Sequence, residues 1–218
     1  MTAGAAGRSR PTVVLALGTA QTLAWGSTYY LPAVLADPIS SSLGLSRAWF
    51  FGVFSASLLL SGLLGPAAGR AIDRRGGRDV LALSNLVFVA GLTILAAASG
   101  VYSLAAAWLV LGVGMALGLY DAAFATLAGL YRAEARGAIT GITLIAGFAS
   151  TIGWPVTTLL AGQLGWREAC LTWAALHLVL GLPLNRLVVP PAPPPEKLAV
   201  RRQGKPIHRR HQEPIHPA

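Results

Sequence analysis

Charge is scarce in this chain. Asp, Glu, Lys and Arg supply 11% of its 218 residues, while 54% are hydrophobic. Soluble globular domains carry about 25% charge. Four stretches, 11–36, 48–69, 80–120 and 137–166, contain none of those four residues. The mean hydropathy of +0.60 points the same way, to lipid rather than water as the solvent. Cysteine is scarcer still: Cys170 stands alone, so no internal disulfide can form and no thiol chemistry is suggested. Period-2 alternation is missing, which excludes the strands of a membrane barrel. No Gly-x-x-x-x-Gly-Lys-Ser/Thr segment occurs, so ATP is not the expected energy source. No metal-ligand cluster is visible; His208, His211 and His216 are spaced too loosely to preorganise a site. Gly-x-Ser-Gly is absent as well, and Ser61-Gly62 merely follows Leu59-Leu60. That opposes an intramembrane serine protease of six helices. No enzyme activity, cofactor or metal is expected.

What the chain does have is long apolar runs. A membrane-spanning helix needs about 20 apolar residues. Every backbone polar group in hydrocarbon must bond internally, so these runs are expected to be helices. Six fit, roughly 12–36, 48–69, 79–98, 104–128, 137–161 and 168–189. The 80–120 run holds two spans, with Ser99-Gly100-Val101-Tyr102-Ser103 as the turn. Arg8 and Arg10 before an apolar run mimic a signal peptide. The run is too long for one and shows no clear cleavage site, so it reads as a retained first helix. Pro190, Pro191 and Pro193–Pro195 cannot continue a helix. The expected organisation is a cytoplasmic segment 1–11, an all-α six-helix transmembrane domain 12–189 and a Pro-rich basic tail 190–218, disordered and cytoplasmic.

The net charge of +9 is distributed by side. With the amino terminus placed in the cytoplasm, fifteen Lys and Arg fall on that side and two, Arg47 and Arg167, on the other. This is a positive-inside bias. It makes the basic charge a topology signal rather than a nucleic-acid patch. It also predicts a multi-pass protein of the cell (inner) membrane with both termini cytoplasmic.

One basic segment separates the second and third runs: Gly69-Arg70-Ala71-Ile72-Asp73-Arg74-Arg75-Gly76-Gly77-Arg78. It reads as a short hairpin loop in which Gly76 and Gly77 give backbone freedom. Its pattern, Gly-x-x-x-Asp-Arg-x-Gly-x-Arg followed by Leu81, resembles the loop between helices 2 and 3 of major facilitator superfamily transporters. Gly162-Gln163-Leu164-Gly165-Trp166-Arg167 also resembles that superfamily. Ala24-Trp25-Gly26-Ser27-Thr28-Tyr29-Tyr30, with Leu45-Ser46-Arg47, looks like its bacterial monocarboxylate-porter-like branch. The resemblance covers about residues 12–190. It implies the amino-terminal half of a twelve-helix transporter, built as a 3+3 inverted repeat. Pro66 and Gly69 at the end of helix 2 are echoed by Pro155 and Gly162 in helix 5. It further implies a truncated or half-size form that pairs with a second six-helix half or as a homodimer.

In the resembled family this loop locks neighbouring helices in one state and frees them in the other. The gating residues are therefore expected to be Gly69, Asp73, Arg74, Gly76, Arg78, Arg132 and Arg136, with Asp73 touching Arg132 or Arg136 in one state. The competing reading makes the arginines topology determinants alone. Asp121 is the one carboxylate within a predicted span. It precedes Arg132 by eleven residues, about 16 Å along a helix. A charge there costs about 2.5–3.5 kcal/mol and usually faces a cavity, as a proton carrier or a cation or substrate contact. Alternatively it is bonded to helix neighbours. Gln21, Trp25 and Thr28 form one stripe at helical spacing, next to Tyr29 and Tyr30. The stripe suits a substrate path, or else helix–helix hydrogen bonding and an interfacial aromatic belt. Gly114-x-x-x-Gly118 permits close helix packing. Trp108 stands where proton-coupled members of the family often have arginine. His177 reads as a packing residue rather than a proton relay.

The expected function is secondary transport by alternating access. The cargo is a small organic solute, either an organic anion or a drug-like molecule, with a proton as the candidate coupling ion. The expected partners are the lipid bilayer and a second half. The rival readings are a non-transporting membrane remnant or partner subunit, and the serine protease.

Overall fold

A computed structural model describes residues 8–191. The tail 190–218 lies outside the described residues except for Pro190 and Pro191, and so do residues 1–7 of the amino-terminal segment. The described residues form helices and turns with no strand.

Helix α1 (Arg10–Ser27) begins where Ser9 accepts a hydrogen bond from the Thr12 N–H at 3.4 Å, with Pro11 in the first turn. It stops at Thr28. Helix α2 (Pro32–Leu43) then restarts on Pro32. The first predicted span is thus a broken rod that extends seven residues past its expected end at Ala36. Helix α3 (Arg47–Arg75) is capped by Ser46 and carries Arg74 and Arg75 in its last turn, where cations suit the helix dipole.

The expected basic loop needs correction. Nothing from Arg70 to Arg75 breaks a helix, so Gly69, Asp73 and Arg74 sit on α3 itself. The turn shrinks to Gly76, whose φ of 85° only glycine adopts readily. Helix α4 (Gly77–Ala96) follows at once, with Arg78 in its first turn. At its far end Ser103 Oγ accepts from the N–H groups of Ser99 and Gly100 at 3.0 and 3.1 Å, tying off the predicted turn.

Two more of the predicted spans are broken. Helices α5 (Val101–Gly118) and α6 (Tyr120–Tyr131) meet at Leu119. Helices α7 (Ala135–Ala146) and α8 (Ala149–Leu164) are divided at Gly147-Phe148. Helix α9 (Trp166–Leu176) starts after Gly165, with φ 99° and ψ 164°, close to the 85° and 150° of Gly76. It continues as wider π-type turns over His177–Gly181 and Leu184–Val188. Pro183 between them has no N–H to donate, which disfavours the ordinary α ladder there. Four helical runs are long and apolar enough to cross a membrane: Arg47–Arg75, Gly77–Ala96, Val101–Leu164 and Trp166–Val188.

Two apolar clusters fill the interior. One gathers Leu31, Leu35, Phe50, Phe88, Leu92, Trp108 and Trp173. The other gathers Val13, Leu17, Ile72, Leu81, Leu127 and Ile142. On α1, on α4 and on the run that begins with α9, buried polar residues fall between the two. Gln21 lies between Leu17 and Leu23, Asn85 between Leu81 and Phe88, and His177 between Trp173 and Val189. The fold is therefore apolar at both ends with a polar layer in the middle. The breaks at Thr28–Leu31 and Leu119 lie near that layer.

Glycines bring the helices together. A Cβ on Gly112 of α5 would meet the Ser57 carbonyl oxygen of α3 at 2.6 Å, and one on Gly153 of α8 would meet Gly26 Cα of α1 at 2.9 Å. Side chains cannot relieve such contacts, because backbone lies on both sides.

Candidate functional site

The break at Leu119 leaves carbonyls at the end of α5 without helical partners. Gln21 supplies one: its Nε2 donates to the Gly118 carbonyl at 2.6 Å, and Gln21 is 1% exposed. Among the described residues its Oε1 has no partner, and neither has the buried Nε1 of Trp25. A side chain of one broken span thus holds the break of another. Breaks of this kind at mid-depth are where transporters build binding sites.

Aromatic rings surround this junction. Trp25 lies 4.9 Å from Tyr120 of α6, 5.1 Å from Tyr29 and 6.0 Å from Tyr30, centroid to centroid. Tyr120 stacks on Phe124 at 5.1 Å, and Tyr30 reaches Trp154 of α8 at 5.9 Å. Asp121, in the first turn of α6, complements the helix dipole there. The sequence predicts a buried carboxylate; in this fold Asp121 is exposed, beside Tyr120 and three residues before Phe124. The predicted stripe also divides. Trp25 is half-buried and faces the rings. Gln21 and Thr28 turn inward, and Thr28 Oγ1 donates to the Ala24 carbonyl at 2.6 Å. For these two the helix-bonding reading describes the geometry.

Trp108 is fully buried, with Phe54 at 4.9 Å and Phe50 at 5.7 Å. The stretch 79–131 that carries Trp108 contains neither Lys nor Arg, so its own segment supplies no substitute for the arginine of the proton-coupled pattern.

A second polar feature is one the spacing of residues does not reveal. His177 Nε2 lies 2.8 Å from Ser27 Oγ, and His177 Nδ1 lies 2.8 Å from Asn85 Oδ1. Asn85 Nδ2 donates to the Leu81 carbonyl, which fixes the amide so that Oδ1 accepts from Nδ1–H. The order Ser–His–Asn is that of an acyl-transfer triad. Its surroundings are not, because Ser27 and His177 are 0% exposed and Asn85 is 3% exposed, leaving no approach for a substrate. The chain ties α1, α4 and the π-type turns together, and the packing reading of His177 describes this.

At the charged end, Asp73 and Arg132 line one cavity of about 220 Å³, together with Gly76, Gly77 and Thr126. They form no ion pair in this structure, and Arg136 is exposed. The ion pairs run elsewhere. Arg10 reaches Glu134, through its carbonyl at 2.7 Å and its carboxylate at 3.8 Å. Asp79, in the first turn of α4, pairs with Arg78 at 3.3 Å and with Arg186. Sequence reasoning missed Asp79; an acid two residues after a Gly-Gly pair, in the first turn of the next helix, is a helix-start signal that could have marked it. Arg132 itself has φ 53°, the one positive value for a non-glycine among the described residues.

The family model of the Major Facilitator Superfamily matches residues 17–215. The chain belongs to the Major Facilitator Superfamily. It is a membrane transport protein of that kind, embedded through its apolar helices. The search of curated proteins gives no match. Within the superfamily frame, the broken helices and their aromatic lining are the candidate solute site. The Asp73–Arg132 cavity is the candidate gate.

Proposed function

We propose that this superfamily member works by alternating access on a small organic solute, with the junction of Gln21, Trp25 and Asp121 as part of its pathway. The observation that carries the reading is the Gln21–Gly118 bond, by which two interrupted spans meet between two apolar cores. A proton is the proposed coupling ion, with Asp121 as its carrier, and Thr28 supports the pathway from behind.

Six spans are the proposed topology, both termini in the cytoplasm of a cell with this protein in its inner membrane. The run Val101–Leu164 has 64 residues, which would reach about 96 Å if straight, far beyond a bilayer core of about 30 Å. It therefore folds back at Arg132–Glu134. A 3+3 inverted repeat is supported by two pairings. The second and fifth spans both contain proline (Pro66 and Pro155), and the third and sixth both follow directly on a positive-φ glycine. The close contacts obey the same exchange, α1 against α8 and α5 against α3.

The gate is proposed to be the charged end, where Gly69, Asp73, Arg74, Gly76 and Arg78 meet Arg132 and Arg136. The positive φ of Arg132 stores strain of about 1–3 kcal/mol, a cost found at switching sites. The second wall of the pathway is proposed to come from another six-helix unit, either a separate half or a second copy. The monocarboxylate-porter-like branch remains the proposed placement within the superfamily.

Reconstituted vesicles test the reading. A panel of labelled organic acids, amines and neutral aromatics is offered to vesicles with and without the protein. Saturable counterflow of at least one compound is expected. Folded protein that moves none of them would support an inert membrane component instead.

A further inference from the structure

We infer that the solute taken at the junction is an organic cation, a substituted ammonium carrying an apolar or aromatic group. This rests on the transporter reading above and names its cargo class. Trp25, Tyr29, Tyr30, Tyr120 and Phe124 bring their ring faces and edges together within 4.9–6.0 Å of one another in a connected cluster. Ring faces are electron-rich and attract cations, most of all substituted ammonium groups. Asp121 adds a carboxyl group one residue from Tyr120, at an exposed position of α6. Gln21 Oε1 is a buried acceptor with nothing to accept from.

The charges that are missing matter equally. No Lys or Arg occurs from 11 to 46 or from 79 to 131, the stretches that supply Trp25, the tyrosines and Asp121. An organic anion would meet a carboxylate and ring faces with no positive side chain to offset them. Trp25 Nε1 is a buried donor without a partner among the described residues, enough for a neutral acceptor elsewhere on the solute. At the edge of the cluster Tyr29 is 41% and Trp154 44% exposed, so the rings are not sealed inside the helix bundle.

The test uses the full chain in nanodiscs and isothermal titration with benzyltrimethylammonium, its neutral carbon analogue and benzoate. The cation is expected to bind saturably and the other two to bind about tenfold more weakly or not at all. Asp121→Asn and Trp25→Leu should each weaken the cation about tenfold or more, while Trp25→Phe, which keeps a ring face, loses about threefold or less. Asp121→Glu should restore most of the affinity lost in Asp121→Asn. A melting curve for each variant shows that it is folded. Preferential binding of benzoate, equal binding of the neutral analogue, or cation binding indifferent to Asp121 and Trp25 overturns the inference. So does the absence of cation binding to folded protein. None of these results touches the transporter reading, which falls only if the vesicle panel shows no saturable flux.

Discussion

Gly112→Ala is the sharpest test of how these helices are held. The new methyl group would lie 2.6 Å from the Ser57 carbonyl oxygen, where ordinary contact begins at 3.4 Å. Helices α3 and α5 would have to part by most of an ångström, because the obstacle is backbone. Forcing an extra methyl into a packed interface costs about 1–3 kcal/mol. Alanine also gains about 1 kcal/mol of helix propensity over glycine, which masks part of the cost. Gly62→Ala isolates the packing contribution. Gly62 lies in α3 with nothing within 4 Å of its Cβ position, so it takes the propensity gain without the clash. The difference between the two variants is then about 1–3 kcal/mol, or about 2–12 °C in melting temperature for a chain of this size. Thermal unfolding of the detergent-solubilised protein, followed by tryptophan fluorescence, reads it. Gly112→Ala must melt below wild type or near it, and Gly62→Ala at or above it. If Gly112→Ala melts as high as Gly62→Ala, the close α3–α5 approach is wrong.

Further perturbations probe the polar layer and the charged end. Gln21→Leu leaves the Gly118 carbonyl unpaired and should cost about 0.6–2 kcal/mol, the range for hydrogen bonds between helices in membranes; an unchanged melting temperature would remove Gln21 as the holder of the break. His177→Leu removes the ring that bridges Ser27 and Asn85 and should cost about 1–3 kcal/mol per polar group left unpaired. His177→Gln should recover part of that loss, and failure to do so would argue against a hydrogen-bonding role. Asp79→Asn breaks two exposed ion pairs, each worth about 0–1 kcal/mol; a shift well beyond that in a melting curve would show the pair to be more than a surface contact. Asp73→Asn should leave stability unchanged, since Asp73 has no ion pair among the described residues, yet slow solute counterflow in vesicles. Unaltered flux would reduce the basic segment to a topology signal.

That the chain is an all-helical membrane protein was legible because charge-free runs of about 20 residues have few uses outside a membrane. The breaks in its helices were not. Leu119 carries no local stop signal beyond Gly118, and Gly112 and Gly114 lie inside the same helix without breaking it. What permits the break is Gln21, 97 residues away, which takes the carbonyl that the helix gives up. The basic segment was legible as a motif and misread as a loop, because glycines at both ends suggested a turn and only Gly76 adopts one. Asp121 was found through its charge, but burial cannot be read from charge alone. The aromatic cluster escaped because its rings come from α1, the α1–α2 break, α6 and α8. Asn85 and Ser27 meet His177 across separations of 92 and 150 residues, and no spacing rule reaches that far.

Cysteine accessibility tests the central claim most directly. Asp121 is exposed in the first turn of α6, next in sequence to Tyr120 of the junction, whereas Val179 is 76% exposed on the span whose buried side holds His177. Cys170 is buried and gives a silent background. A membrane-impermeant, charged thiol reagent should modify Asp121→Cys from water and leave Val179→Cys unmodified in lipid. Rapid labelling of Val179→Cys, with Asp121→Cys inert, would place the water-filled pathway elsewhere and contradict the account.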